Sequence, residues 1–581
     1  MATVLKIPSL RVLLALLTLN TAVFVGYWIF RLRWISQDQF EYFDETKRKD
    51  YFHPVGVSHI VHNRSIQVLH TDYLPRLRHE DLFTEFDDVV LSGLYEEDEY
   101  IHDLRMDKHQ AVDINGIANG SFSTAAVKPM TYYYVNDVLY VSIALHNGYY
   151  KRILRGGDDV RIWIKEPDRG ACASGYVFDH HNGSYTGVVR LLWRGRVDVV
   201  VAIASSREAI RLLYTIHREG YLVRQMFAIF QRRHTYEMTL CAYTPHLPGY
   251  DNVCNLTAMN HGLPWYCGHP DFLTCAEWTR TGASQPPWPL YTDDRKLFDL
   301  NNVHQNFRRP IQVKVIEDPR PNGKRLVSCN ELPPSATWSQ ATPVGYFLNW
   351  RWHSTVCTNI LANTVESWNT CLSNRRLWMH GDSTLRQWFT YLQKRLTLRL
   401  TSEVWHYDQW PYPSTLYSQR YNYAVFWSTH ELPFTNTEEF VLRHAHKAAH
   451  VYIDELPANN RDIVILHLYL HFTAYPPTLL QTHIQRIVQS VKALLARAPE
   501  AKVFVKGPHA FNDNKNNRGV IDDYWGKIYT QIYKKEFKDV QDQVYFLDFW
   551  DMTVAAENDD VHPNVTVYDA MIHSLLGYIC H

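Results

Sequence analysis

Leu377-Trp378-Met379-His380-Gly381-Asp382-Ser383-Thr384-Leu385-Arg386 is an apolar run that halts at Gly-Asp-Ser and resumes with Leu385, Trp388, Phe389 and Leu392 at helical spacing. The pattern predicts a strand over 376–380, a helix over 384–395, and Ser383 at the turn between them. The first N–H groups of a helix lack acceptors and carry positive potential, so the Ser383 backbone is a natural donor to an oxyanion. Gly381 permits an unusual backbone dihedral at little steric cost. Arg386, one turn into the helix, is expected near the same point.

The rhythm continues toward the C-terminus. Buried-strand runs over 463–470, 503–505 and 544–549 alternate with helical patterns over 479–495, 521–537 and 568–578. That alternation predicts an α/β domain over 372–581, a parallel sheet with flanking helices. Ligands on such sheets sit at the carboxyl ends of the strands, where Ser383 and the loop after Phe549 should both emerge.

That last loop contains Asp559-Asp560-Val561-His562-Pro563. A serine hydroxyl is a poor nucleophile until a base takes its proton, and the base needs an orienting acceptor on its other nitrogen. The expected chain is Asp559 to His562 to Ser383, with Pro563 fixing the backbone beside the histidine. His471 is a further candidate donor to the oxyanion, alongside Gly381 and Arg386. His467-x-x-x-His471 and His446-x-x-x-His450 have zinc-like spacing, but no Glu or Cys completes either set, so no metal is expected.

Upstream the character changes. Short β-rich runs over 132–144, 160–164, 187–193 and 197–204, separated by glycine-containing turns, predict an antiparallel sandwich over 111–245. Residues 246–371 are rich in Pro, Trp and Cys and read as a cross-linked connector. Seven of the nine cysteines fall between 241 and 371, a density expected of disulfides in an oxidising compartment, and the odd count leaves at least one thiol over.

Residues 31–110 read as a stem. Before it, 12–30 carry no charge and end on Trp28, Ile29 and Phe30 without the small residues of a cleavage site, which predicts an uncleaved signal-anchor helix after an N-terminal tail over 1–11. Sequons at Asn63, Asn119, Asn182, Asn255 and Asn564 favour a luminal C-terminal bulk and predict N-glycosylation. With 59 basic and 60 acidic residues there is no global field for a polyanion, so nucleic acid is excluded as a partner.

Ser383, Asp559 and His562, together with Leu191-Leu192-Trp193-Arg194-Gly195, Gly156-Gly157-Asp158, Asn182-Gly183-Ser184-Tyr185 and Lys506-Gly507-Pro508-His509-Ala510-Phe511, resemble the neurexophilin and PC-esterase family, within the wider SGNH/GDSL hydrolase class. The resemblance spans about residues 110–581. It implies an immunoglobulin-like neurexophilin domain followed by an SGNH-type domain with Ser383 as nucleophile. It departs in one place: the wider class supplies oxyanion donors from a mid-domain Gly and Asn, whereas His467-Leu468-Tyr469-Leu470-His471-Phe472 has neither.

What the resemblance implies is a glycan O-acetyltransferase, acting on sialic acid of a sialylated glycan, with acetyl-CoA as acetyl donor and no bound cofactor. Its place would be the Golgi membrane, single-pass type II with luminal domains, or secretion. The alternatives are a non-catalytic protein that engages a cell-surface partner through the sandwich, and a carbohydrate O-acetylesterase.

Overall fold

Val197, Val199, Val201 and Ile203 alternate along the strand Gly195–Ser205 and are all fully buried, as β-branched residues on one face of a pleated strand should be. In this computed structural model the described residues are 112–218, 225–247, 249–284, 296–299, 301–319, 326–401, 412–433, 441–512 and 522–580. They fall within one compact unit, His70–His581.

The Gly195–Ser205 strand is central to an eight-stranded sheet, between Asp159–Glu166 and Ile311–Ile316, with antiparallel pairing except where Ile311–Ile316 meets Tyr133–Tyr134. A four-stranded antiparallel sheet, containing Val138–Ala144 and Ser184–Arg190, turns Val141, Ile143 and Val189 into a shared core with Ile162, Ile164 and Val201. The eight-stranded sheet extends beyond this region, because Gly345–Leu348 pairs with Ala171–Ser174 at Phe347 and Cys172.

The cysteine-rich stretch is also sheet. Val253–Asn255, Tyr266–Gly268, Thr235–Ala242, Gln225–Arg232, Trp278–Ser284 and Val441–Leu442 form six antiparallel strands. Disulfides Cys241–Cys267 and Cys254–Cys275 staple it, while Cys329–Cys357 and Cys371–Cys580 tie the later segments. Cys172 is the unpaired thiol among the described residues, and it is buried.

The fourth sheet has seven strands in the order Arg399–Thr401, Ser414–Ser418, Tyr423–Ser428, Arg376–Gly381, Ile463–His467, Lys502–Lys506, Val544–Leu547. The first two pair antiparallel and the rest parallel. One face carries Leu377, Met379, Val425 and Ile465 against the helices Ser383–Arg395 and Val565–Ile579. The other carries Val464, Leu466 and Val503 against Pro477–Arg497 and Tyr524–Glu536.

The expected fold class does not hold for the chain. In place of the expected parallel α/β fold with a transmembrane helix, the described residues are mostly β-sheet, antiparallel pairing dominates three of four sheets, and the C-terminal sheet is mixed. The physical reason is that side-chain periodicity reports burial and not the pairing partner; Ser414–Ser418 turns tightly into Tyr423–Ser428, and a short connection joins antiparallel strands. No described helix is long and apolar enough to cross a membrane, which stands against the single-pass Golgi placement. The segments 1–11, 12–30 and 31–110, and the sequon at Asn63, lie outside the described residues.

Candidate active site

Strand Arg376–Gly381 ends where the sheet's carboxyl edge meets the helix Ser383–Arg395, and the residue between them, Asp382, caps that helix by accepting the Thr384 N–H on its side chain at 2.9 Å. Capping satisfies one of the orphan donors of a helix start. The Ser383 N–H, at the first position of the helix, makes no hydrogen bond among the described residues.

Gly381 has a reason other than the one its sequence position suggests. Its backbone is not left-handed; a Cβ there would lie 2.4 Å from the His467 carbonyl oxygen, so glycine allows the neighbouring strand to approach.

His562 reaches Ser383 from the loop that precedes helix Val565–Ile579. Its Nε2 lies 2.8 Å from Ser383 Oγ, hydrogen-bond distance for a base and the hydroxyl it would deprotonate. The other ring nitrogen, Nδ1, faces Asp560 Oδ1 at 3.7 Å, and the same oxygen accepts the His562 N–H at 2.9 Å. Asp559, the expected orienting acid, is exposed and makes no hydrogen bond or ion pair among the described residues. The structure therefore brings Ser383 and His562 together and puts Asp560 in the place read for Asp559. A one-residue displacement in a tight loop turns the side chain to the other side.

Three residues that the sequence reading missed hold this loop. Gln387, one turn along the helix from Ser383, donates to the Pro563 carbonyl at 2.8 Å. His509 Nε2 donates to the Val561 carbonyl at 2.9 Å, and Asn558 donates to the carbonyls of Ala510 and Asp560. The i, i+4 spacing of Ser383 and Gln387 was the available signal for the first. The others depend on long-range contacts.

Beneath the exposed pair lies a buried polar network. Asp382 is 0% exposed; its Oδ1 accepts the Thr384 hydroxyl at 2.7 Å, and its Oδ2 accepts the Leu470 N–H at 3.1 Å and stands 3.5 Å from His467 Nε2. Burial alone would raise this carboxyl, but His467, Lys506, His471 and the Thr384 hydroxyl outweigh it and hold it well below the usual carboxylate range. Lys506 Nζ donates to Thr384 Oγ1 at 3.1 Å and to His467 Nε2 at 2.8 Å, while His467 Nδ1 donates to the Lys506 carbonyl. Burial pushes the Lys506 ammonium down to about 7, against the pull of Asp382. Burial, with Lys506 second, pushes His467 to about 3, so its ring is neutral at physiological pH.

The remaining candidates are placed apart from the Ser383 hydroxyl. Arg386 lays its guanidinium over the Trp427 ring at 4.8 Å. His471 Nδ1 sits 2.8 Å from His430 Nε2, and Tyr469 is fully buried with its hydroxyl donating to the His509 carbonyl. No hydrogen bond joins Arg386 or His471 to Ser383 among the described residues.

The zinc-like histidine pairs are engaged with protein groups: His450 with the His261 carbonyl, His446 with Thr429, His467 and His471 as above. Cys254, His269 and Cys275 form the one described cluster with metal-ligand spacing, and its two sulfurs are bonded to each other. Of the sequon asparagines, Asn119, Asn182 and Asn255 each accept the N–H two residues on, and Asn564 caps helix Val565–Ile579 by accepting the Val567 N–H.

A serine hydroxyl on a histidine base, at a helix N-terminus, is an arrangement able to perform acyl transfer of the esterase type. Among solved structures the chain is similar to an active-site mutant of a family two carbohydrate esterase from Clostridium thermocellum in complex with celluohexase, at 8% identity and a TM-score of 0.20, over 80% of this chain and 97% of that one. A likeness of that size carries nothing over to this chain. Two family models match: residues 352–580 match NXPE family member 4-like, C-terminal domain, and residues 141–280 match neurexophilin. Carrying both, neurexophilin first, the chain belongs to the neurexophilin and PC-esterase (NXPE) family.

Proposed function

We propose that the protein is a glycan O-acetyltransferase that uses acetyl-CoA and acts on sialic acid. The observation that carries the reading is the 2.8 Å contact between His562 Nε2 and Ser383 Oγ at the start of a helix. Ser383 Oγ attacks the thioester carbonyl as its proton passes to His562 Nε2, and the Ser383 N–H receives the developing oxyanion. The C–S bond breaks, the thiol leaves with the proton from His562, and Ser383 carries the acetyl group. A sugar hydroxyl then attacks, His562 takes its proton, and Ser383 recovers it as the acetyl ester departs. Asp560 stabilises the imidazolium through its charge at Nδ1.

A second reading has an observation of its own. The His562 side chain is 43% exposed, so water can reach the acetyl-enzyme. That favours a carbohydrate O-acetylesterase, in which water is the acceptor. The test is to incubate the full chain and Ser383→Ala with acetyl-CoA, with and without a sialylated glycan, and follow protein and glycan by mass spectrometry. A serine-dependent gain of one acetyl on the glycan is the expected result. Acetate release with no glycan product would leave the esterase, and equal products from Ser383→Ala would remove Ser383 from the mechanism.

A further inference from the structure

The strands that present Ser383 at one end form, at the other, a groove of about 540 Å³. Register places Tyr417, Ala424 and Arg376 in one row and Thr415, Phe426 and Trp378 in the next. Alternate residues of a strand share a face, so Tyr417, Phe426, Trp378 and Arg376 line the same side of the sheet. The opposite side carries Leu377, Val425 and Leu416 into the core. From Arg376 to Gly381 the strand covers roughly 16 Å at about 3.3 Å per residue, which separates the groove from Ser383.

Two features of the groove point to a ligand. The first is aromatic surface: Tyr417 is 37% exposed, and the half-buried rings of Trp378 and Phe426 meet at 5.1 Å. The second is unbalanced charge. Among the described residues the guanidinium groups of Arg375 and Arg376 have neither a hydrogen-bond acceptor nor a carboxylate in contact. Asp462, within electrostatic reach of Arg376, accepts the Trp378 indole N–H at 2.9 Å. Burial and the like charge of Arg461 depress Arg375, and burial and Arg375 in turn depress Lys502. Cations crowded around a single carboxylate, Arg375 and Lys502 half-buried and Arg376 exposed, are stabilised by an incoming anion. Asn422 donates to Asn374 at 2.9 Å, which leaves the Asn422 amide carbonyl and three further N–H of this pair uncommitted at the rim.

We propose that this groove binds an acidic saccharide, with Arg375 and Arg376 on its carboxylate or sulfate, the aromatic rings against the apolar face of a sugar ring, and the amides on hydroxyls. This goes beyond the acyl-transfer reading and does not depend on it. The test is calorimetric titration of the full-length Ser383→Ala protein with 3′-sialyllactose and with lactose, a pair that differs by the acidic sugar. The trisaccharide should bind at least tenfold tighter than lactose. Arg376→Glu should weaken it at least tenfold and Tyr417→Ala at least threefold, while neither substitution in the otherwise unaltered protein changes hydrolysis of p-nitrophenyl acetate. Equal binding of lactose, no binding of the trisaccharide, or unchanged affinity in both variants would overturn the proposal. Loss of esterase activity with saccharide binding intact would strike only the acyl-transfer reading.

Discussion

Asp382 and Ser383 are adjacent in the chain and opposite in circumstance. The carboxylate is wholly buried among Thr384, Leu470, His467 and Lys506, whereas the hydroxyl is half-buried and touches a histidine whose side chain is 43% exposed. The first arrangement fixes where the strand, the helix start and the Leu470 segment meet; the second is free to change partners as a reaction proceeds. The pair teaches that neighbours in one Gly-Asp-Ser motif can stand in opposite surroundings, the acid tied into the architecture and the serine open to a histidine.

The largest effect that would sharpen this contrast is on activity. Ser383→Ala should lower turnover of p-nitrophenyl acetate by about 10,000-fold or more while leaving the thermal midpoint where it was, because the hydroxyl's contact is with His562 alone. A variant that lost stability along with activity would erase the division.

Asp382→Asn should do the reverse in kind. Replacing one oxygen by an amide puts a donor against the Leu470 N–H and strips Lys506 of a compensating charge, which is expected to cost about 3–5 kcal/mol in denaturant unfolding. A loss under about 1 kcal/mol would mean that the network is not what holds the elements together.

Within the exposed half, Asp560→Asn is expected to slow hydrolysis by about tenfold, a modest figure because the acid stands at 3.7 Å and not at hydrogen-bond distance from Nδ1. Asp559→Asn should change it by less than about twofold. If Asp559 proved the more damaging, the loop would have to rearrange on substrate binding.

The smallest effect separates the two halves by pH. Lys506 titrates near 7 in the folded protein and near 10.5 when unfolded, so between those values the folded state holds fewer protons. Its contribution to stability is complete above the unfolded value and is lost as pH falls through about 7. Wild type should therefore gain stability from pH 7 to 9, measured by urea unfolding, and Lys506→Met should flatten that rise. An identical slope in the two proteins would place the titration elsewhere.

Much of the local chemistry was legible in sequence. The strand over 376–380, the helix start after Asp382 and the histidine loop before Pro563 follow from periodicity, capping and turn residues, and each is settled by neighbours within a few positions. Spacing did not say which of two adjacent carboxylates would face His562, because loop geometry decides it; Asp560 is the one that stands 3.7 Å from Nδ1. Lys506 sat in a quoted motif without a role, since nothing in Lys506-Gly507-Pro508 says that a strand two sheet positions from Ser383 will bury its ammonium against Asp382.

The sequence by itself determined the burial pattern of the strands, the Gly-Asp-Ser turn and the two ends of the Ser383–His562 pair, because these rest on hydrophobic periodicity and local backbone preference. Only the tertiary structure decided which strands pair, that Gly345–Leu348 joins the eight-stranded sheet and Val441–Leu442 the six-stranded one, that Asp560 faces His562, and that Asp382 is sealed in. Pairing and burial of charge are set by partners far away in the chain, 362 residues for the buried Arg161–Asp523 pair, and their free energy depends on desolvation and geometry that no local window contains.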